Sequence, residues 1–154
     1  MRLPFIALLM ILTAGTAGAA CSVPADAGRL AAEVVAGVNT QRQAAGLQPL
    51  VPSAALARAA SRHACDMAAN GLQGHRGSDG SNSSARARAA GFRGCTVAEN
   101  VVWGFSSPGT AVAAWMGSAP HRANILNRGL TDLAVGVATG VNGANWVLVL
   151  GRRC

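Results

Sequence analysis

Apolar residues recur at helical spacing over the first third of the chain. Residues 25–45 place apolar side chains three or four positions apart, as one face of a helix requires, at Leu30, Val34, Val35 and Val38. This spacing predicts a first helix. A second helix is predicted over residues 54–70, between Ser53, which is a good N-cap, and Gly71, which is a good stop. Residues 46–52 contain two prolines and are expected to form an extended link between the two helices.

Shorter elements are predicted in the second half of the chain. The pattern indicates a short helix over residues 84–90 and strands over residues 96–103, 132–139 and 145–151. Ser107 followed by Pro108 is typical of a further helix start. The stretch VNGAN between the last two strands has the glycine and asparagines of a hairpin turn. Helices combined with a small antiparallel sheet predict one α+β domain over residues 21–154.

The N-terminal residues have the layout of a secretory signal peptide. Arg2 supplies a positive start, residues 3–12 are almost all apolar, and small residues follow. We therefore expect removal of residues 1–20 and a secreted or periplasmic domain. The apolar run is shorter than the roughly 20 residues that span a bilayer, so no transmembrane segment is expected. Lipid anchoring through Cys21 is the less favoured alternative, because Gly18 stands where lipoprotein signals usually carry a large aliphatic residue.

The charge of the chain is strongly basic. It contains 13 basic residues, all of them arginine, and 6 acidic residues, for a formal net charge of +7. The arginines are scattered along the chain and are not interleaved with aromatic residues. Nucleic-acid binding is therefore not expected, because single-stranded and duplex sites both need a clustered basic surface.

The four cysteines form an even set in a chain expected to be exported. Disulfide bonds are therefore predicted for Cys21, Cys65, Cys95 and Cys154. Three pairings are possible, and the favoured one joins Cys65 to Cys95 and Cys21 to Cys154. A zinc site is the alternative use of these cysteines, but no CxxC spacing supports it.

Three polar side chains stand out as candidates for chemistry. His75 and His121 lie 46 positions apart, so only the fold could bring them together. Each histidine taken alone is more often a loop residue with a satisfied hydrogen bond. Glu99 lies among valines and is expected to be partly buried, which is costly for a carboxylate unless a cation, a histidine or a backbone donor pairs with it. His63 is expected at the edge of the apolar face of the second helix. It is interpreted separately, as a partly buried core histidine.

The order of motifs resembles that of the CAP superfamily, named for cysteine-rich secretory proteins, antigen 5 and plant pathogenesis-related proteins. More narrowly, the chain is similar to the bacterial branch of SCP-like extracellular domains. The matching stretches are VNTQRQAAGLQPL (38–50), ACDMAANGLQGH (64–75), AENVVWG (98–104) and AVAAWMGSAPHRANIL (111–126). The resemblance implies a three-layer α-β-α sandwich with a central cavity.

In that family two histidines and two glutamates point into the cavity and can hold a divalent metal. The resemblance implies that His75, Glu99 and His121 take three of these positions. Ser118 stands where the second glutamate would fall, so the set of four is incomplete. Two imidazoles and a carboxylate suit zinc or another divalent metal, with Glu99 either as third ligand or as a partner that orients a histidine.

Three classes of function remain open on this interpretation. The favoured one is a non-enzymatic binding module with a groove for a lipid, a peptide or a cell-wall component. The second is a metal-dependent hydrolase or peptidase that uses Glu99 as general base. The third is a disulfide-bonded scaffold whose pocket is vestigial. The sequence contains no G-x-S-x-G motif, and its cysteines are assigned to bridges, so a covalent hydrolase is not supported.

Overall fold

The computed structural model describes residues 21–154, so the predicted signal peptide lies outside the described residues. In chain order the elements are α1 (Ala27–Ala44), β1 (Val51–Pro52), α2 (Ala54–Asn70), α3 (Ser83–Ala89), β2 (Gly94–Trp103), α4 (Pro108–Gly117), α5 (Ala119–Ile125), β3 (Asp132–Gly140) and β4 (Gly143–Arg153). No helix in this part of the chain combines the length and the apolar character that crossing a bilayer requires.

Local capping signals account for the helix boundaries that matter most. The side chain of Ser53 accepts a hydrogen bond from the backbone N–H of Leu56 and starts α2. Gly71 ends the same helix with a φ of 64°, in the left-handed region that favours glycine. At the start of α4, Ser107 and Thr110 form a reciprocal capping box. The predicted bounds of α2 and the predicted start of α4 are confirmed.

The four strands form one mixed sheet in the order β1-β3-β4-β2. β4 pairs antiparallel with β3, as the predicted hairpin requires, and it also pairs antiparallel with β2. β1 was expected to be a plain extended link, but it pairs parallel to β3, so the sheet is not wholly antiparallel. In the described sheet β2 has a single neighbour, β4, and therefore lies at an edge. The α+β class is confirmed.

Helices cover both faces of the sheet, which gives the predicted three-layer sandwich. Successive residues of β4 point to opposite faces. Trp146 and Leu148 join a core that includes α1, α4 and the fully buried Trp115. Val147 and Val149 join a second core built mainly on α2.

Helix α2 lies unusually close to β3 because two glycines allow it. A Cβ atom on Gly136 would lie 2.4 Å from backbone atoms of Ala60, and one on Gly140 would lie 2.4 Å from the carbonyl oxygen of Ala68. Real Cβ atoms do not tolerate such distances to backbone, so these positions require glycine. This close packing carries the side chains of α2, including His63, against the sheet.

The structure contains two disulfide bonds, and the predicted pairing is wrong. Cys21 bonds to Cys65, and Cys95 bonds to Cys154. The start of β2 lies beside the end of β4, with Gly94 opposite Arg153, so strand register brings Cys95 next to the last residue. The described residues contain no free cysteine, so the expectation that all four form disulfides is confirmed.

Candidate functional site

Glu99 lies near the middle of β2, and its side chain is only 2% exposed. Residues of β2 alternate between the two faces of the sheet, and Glu99 shares the α2 face with Val101. His75 reaches it from the loop between α2 and α3. The ring Nδ1 of His75 donates a hydrogen bond to Oε1 of Glu99 at 3.0 Å. Because the carboxylate can only accept, the proton is on Nδ1, and Nε2 is left for other contacts.

A buried arginine neutralises Glu99. Nη2 of Arg86 lies 3.0 Å from Oε1 and 2.9 Å from Oε2 of Glu99, and both side chains are 2% exposed. The same nitrogen donates to the carbonyl oxygen of His75 at 2.9 Å, and Nη1 donates to that of Ser81 at 2.8 Å. Arg86 thus joins α3, β2 and the His75 loop. The sequence indicated that Glu99 needs a partner but did not identify Arg86.

His63 belongs to the same cluster, although it was interpreted as separate. It is fully buried on α2, and its Nε2 contacts the carbonyl oxygen of Gly74 at 2.9 Å. The same nitrogen lies 3.8 Å from Oε1 of Glu99. Burial lowers the pKa of His63. The prediction that His63 is a core histidine is therefore confirmed. The prediction that it lies apart from Glu99 is wrong.

His121 approaches from the opposite face of the sheet, on α5. This short helix was not predicted. The side chain of the buried Asn100 donates to the carbonyl oxygen of His121 at 2.9 Å and accepts from Asn124 at 2.8 Å. At the other end of α5, the buried Arg42 donates to the carbonyl oxygen of Ile125 at 2.7 Å. The position of His121 is therefore held by polar contacts at both ends of its helix.

His75 and His121 line one cavity of about 460 Å³. Its other walls are Gly74, Val101, Val102, Trp103 and Phe105. The cavity thus crosses the outer edge of β2 and is apolar between the two imidazoles. Glu99 lies beneath His75 and is not part of the wall. Ser118 joins the end of α4 to the start of α5 and is not part of the wall either.

The two histidines of the cavity differ in proton affinity. The hydrogen bond to Glu99 raises the pKa of His75 above its usual value. Burial lowers the pKa of His121, and the neighbouring His75 lowers it further. At a pH just below neutrality His75 is therefore the more protonated of the two, and the cavity carries its positive charge on the α2 side.

The donor set does not fit the three-ligand metal site that the resemblance implied for His75, His121 and Glu99. Both oxygens of Glu99 accept hydrogen bonds from Arg86, and a guanidinium at that distance repels a second cation. Within residues 21–154 no three His, Cys, Asp or Glu side chains converge on a point that could hold a metal ion. Zinc takes four ligands in a tetrahedron, so two imidazoles alone make a poor site.

Comparison with known sequences places most of the chain in one family. The profile of the cysteine-rich secretory protein (CAP) family matches residues 35–150. The chain is also 31% identical, over 124 residues, to the uncharacterized protein YkwD of Bacillus subtilis. That match covers 80% of this chain and 48% of YkwD, so the chain spans about half of this relative's length.

Solved structures of low sequence identity share the fold. An outer surface protein of Borrelia burgdorferi is 18% identical and superposes with a TM-score of 0.72, covering 79% of this chain and 90% of that one. An extracellular protein containing an SCP domain, from Bacillus anthracis, is 22% identical with a TM-score of 0.72. That match covers 82% of this chain and 41% of the Bacillus anthracis protein. These likenesses support the sandwich architecture alone.

Proposed function

Because the chain belongs to the cysteine-rich secretory protein family, we propose that it is an exported, non-enzymatic binding module. Its ligand occupies the cavity between His75 and His121. The ligand is an extended or flat apolar group that carries an anionic end. The apolar end contacts Trp103 and Phe105, and the anionic end accepts a hydrogen bond from Nε2 of His75 in the protonated form of that ring.

The cavity itself carries this proposal. Its volume of about 460 Å³ lies within the range of roughly 300–1,000 Å³ that is usual for ligand sites. It combines mostly apolar walls with two polar groups, a pattern that gives affinity through burial and orientation through the polar contacts. The side chain of His75 is 55% exposed and remains reachable, even though its Nδ1 is occupied.

The contacts of Glu99 argue against the hydrolase alternative. A general base must come within hydrogen-bond reach of the proton that it removes. Glu99 is buried, and Arg86 holds both of its oxygens. We therefore assign Glu99 a positioning role, in which it orients His75 toward the cavity.

Export is the setting that fits the chain best. The expected signal peptide and the two disulfide bonds both agree with it, because disulfides persist in oxidising compartments. Among the similar proteins, one is named an outer surface protein and another an extracellular protein. Comparing the mass of the exported chain with that of the full sequence would test removal of residues 1–20.

Binding of small aromatic carboxylates tests the proposal. We would measure the affinity of indole-3-acetate by NMR titration for wild type, Phe105→Ala and His75→Ala. Both variants should bind at least about tenfold more weakly, because each removes one wall of the cavity. Val141→Ala is the matched control, since Val141 is an exposed apolar residue outside the cavity.

Equal affinity in all four proteins would reject this cavity as the binding site. It would point instead to another surface, such as the groove of about 540 Å³ between α1 and α2.

A further inference from the structure

The outer edge of β2 presents unpaired backbone groups inside the cavity. Opposed residues of an antiparallel pair alternate between hydrogen-bonded and non-hydrogen-bonded pairs. Trp103 lies opposite Asn145, and the N–H of the next residue, Gly104, donates to the carbonyl oxygen of Ala144 at 3.0 Å. Gly104 and Ala144 thus belong to a hydrogen-bonded pair, and so does Val102, two positions earlier, with Trp146. The backbone N–H and C=O groups of Val102 therefore point toward β4, and those of Val101 and Trp103 point outward from the sheet.

The outward direction of the odd-numbered residues is supported by a second contact. The carbonyl oxygen of Glu99 accepts a hydrogen bond from the side chain of Asn124 on α5, at 3.5 Å. Asn124 thus covers the edge of β2 at that point. Further along, at Val101 and Trp103, the edge opens into the cavity, and no other strand of the described sheet pairs with it.

Side chains on the two sides of this open edge alternate as a strand partner would need. Val101 and Trp103 lie on the side of His75. Val102 lies on the opposite face of the sheet, within the core that includes α4 and part of α5. An extended chain laid along the edge would therefore place successive side chains toward His75 and toward His121.

We propose that the ligand of this cavity is an extended peptide that adds to the sheet beside residues 101–103. This inference rests on the proposed function. The backbone of the peptide pairs with the outward N–H and C=O groups of Val101 and Trp103. Its apolar side chains contact Trp103 and Phe105, and a carboxylate on it pairs with the protonated ring of His75. Strand addition of this kind draws affinity from main-chain hydrogen bonds and specificity from side-chain pockets.

The unpaired groups favour a peptide over a lipid as occupant. A lipid chain would bury the N–H and C=O groups of the β2 edge without giving them partners, which is unfavourable. A peptide supplies a donor and an acceptor at every second residue. The excess of arginine over acidic residues and the position of His75 further favour a peptide that carries a carboxylate.

Amide hydrogen exchange tests this inference directly. The probe is the capped peptide Thr-Val-Thr-Val-Thr-Glu-Thr, whose valines and glutamate lie on one face of a strand, added to the isotope-labelled exported protein. Saturation should slow exchange of the amides of Val101 and Trp103 by about tenfold or more, because each gains a hydrogen bond. The amide of Val102 should be unaffected, since it already pairs with β4.

Two analogues of the peptide provide matched controls. One is N-methylated on the valines and the glutamate, and the other is N-methylated on the threonines. Only one of these alternate sets can face β2, so one analogue should lose binding and the other should keep most of it. Replacing the glutamate by glutamine should weaken binding for wild type but not for His75→Ala.

The outcomes separate this inference from the function on which it rests. Peptide binding with unchanged exchange at Val101 and Trp103, or equal loss with both analogues, would overturn strand addition. Failure of the peptide to bind at millimolar concentration would overturn it as well. In each case the proposed function still stands or falls on the response of indole-3-acetate binding to Phe105→Ala.

Discussion

Arg86 donates hydrogen bonds to both carboxylate oxygens of Glu99, and neither side chain has more than 2% of its surface exposed. The exposed ring of His75 lies on this buried pair and donates to the same carboxylate. The pair therefore does two things. It satisfies a charge that β2 buries in the core, and it fixes the proton of His75 on Nδ1, which leaves Nε2 free for the cavity.

Removing only one partner of the Arg86–Glu99 pair should lower the free energy of unfolding far more than replacing both partners would. Arg86→Met leaves Glu99 buried without a cation, and we expect a loss of about 3–5 kcal/mol in the free energy of unfolding. The double variant Arg86→Met/Glu99→Gln should lose less than the two single variants added together. Denaturant unfolding measures both quantities. Arg88→Met, an exposed change on the same helix, is the control and should stay within about 0.5 kcal/mol of wild type. Strictly additive losses would mean that Arg86 and Glu99 are not coupled.

Stability should depend on pH through His75. Its hydrogen bond to Glu99 raises its pKa above the value of 6.5 taken for the unfolded chain. A group of this kind stabilises the fold fully below the unfolded pKa, and its contribution is lost as pH rises through the folded pKa. His75→Ala should therefore lower the free energy of unfolding more at about pH 5.5 than at about pH 9. Unfolding curves of both proteins at the two pH values test this.

His121, which lines the same cavity, should affect the pH dependence of stability in the opposite direction. Its pKa is lowered by burial, so protonation below the unfolded pKa works against the fold. His121→Ala should gain stability relative to wild type as pH falls. In an NMR titration of wild type, the ring of His75 should also titrate at higher pH than that of His121. The reverse order would contradict the contact between His75 and Glu99.

Zinc should bind weakly. The third ligand that the family resemblance implied, Glu99, is held by Arg86, and two imidazoles leave a tetrahedral ion half-ligated by the protein. Calorimetric titration of chelator-treated protein should therefore show no saturation at micromolar zinc. The double variant His75→Ala/His121→Ala gives the background. Saturable micromolar binding in wild type that disappears in the double variant would restore a metal site in this cavity.

Close packing of α2 on β3 should make Gly136 intolerant of any side chain. A methyl group there would lie 2.4 Å from the backbone of Ala60, so Gly136→Ala must push the helix away from the sheet. We expect a loss of about 1–3 kcal/mol or more. Gly28→Ala is the matched control, since a Cβ atom on that helical glycine meets nothing within 4 Å, and it should be neutral or stabilising. Similar melting temperatures for Gly136→Ala and wild type would refute the close approach.

Most of the secondary structure could be predicted from the sequence, because the signals involved are local. Ser53 and Gly71 bound α2 through hydrogen bonds and a backbone conformation that involve only their neighbours along the chain. The valines of β2 (Val97, Val101 and Val102) and the turn residues of the last hairpin are local in the same sense. The sequence also indicated that Glu99 would need a partner, since a carboxylate among valines must be paired.

The identity of that partner depends on packing, and the sequence alone could not supply it. In a helix as short as α3, Arg86 and Arg88 look alike, and only packing against β2 buries the first and exposes the second. Strand register, which no single strand encodes, brought Cys95 beside Cys154. His63 and His121 likewise took their places from opposite sides of the sheet. Pairing energies between distant residues depend on distance and burial, and these exist only once the layers of the fold have assembled.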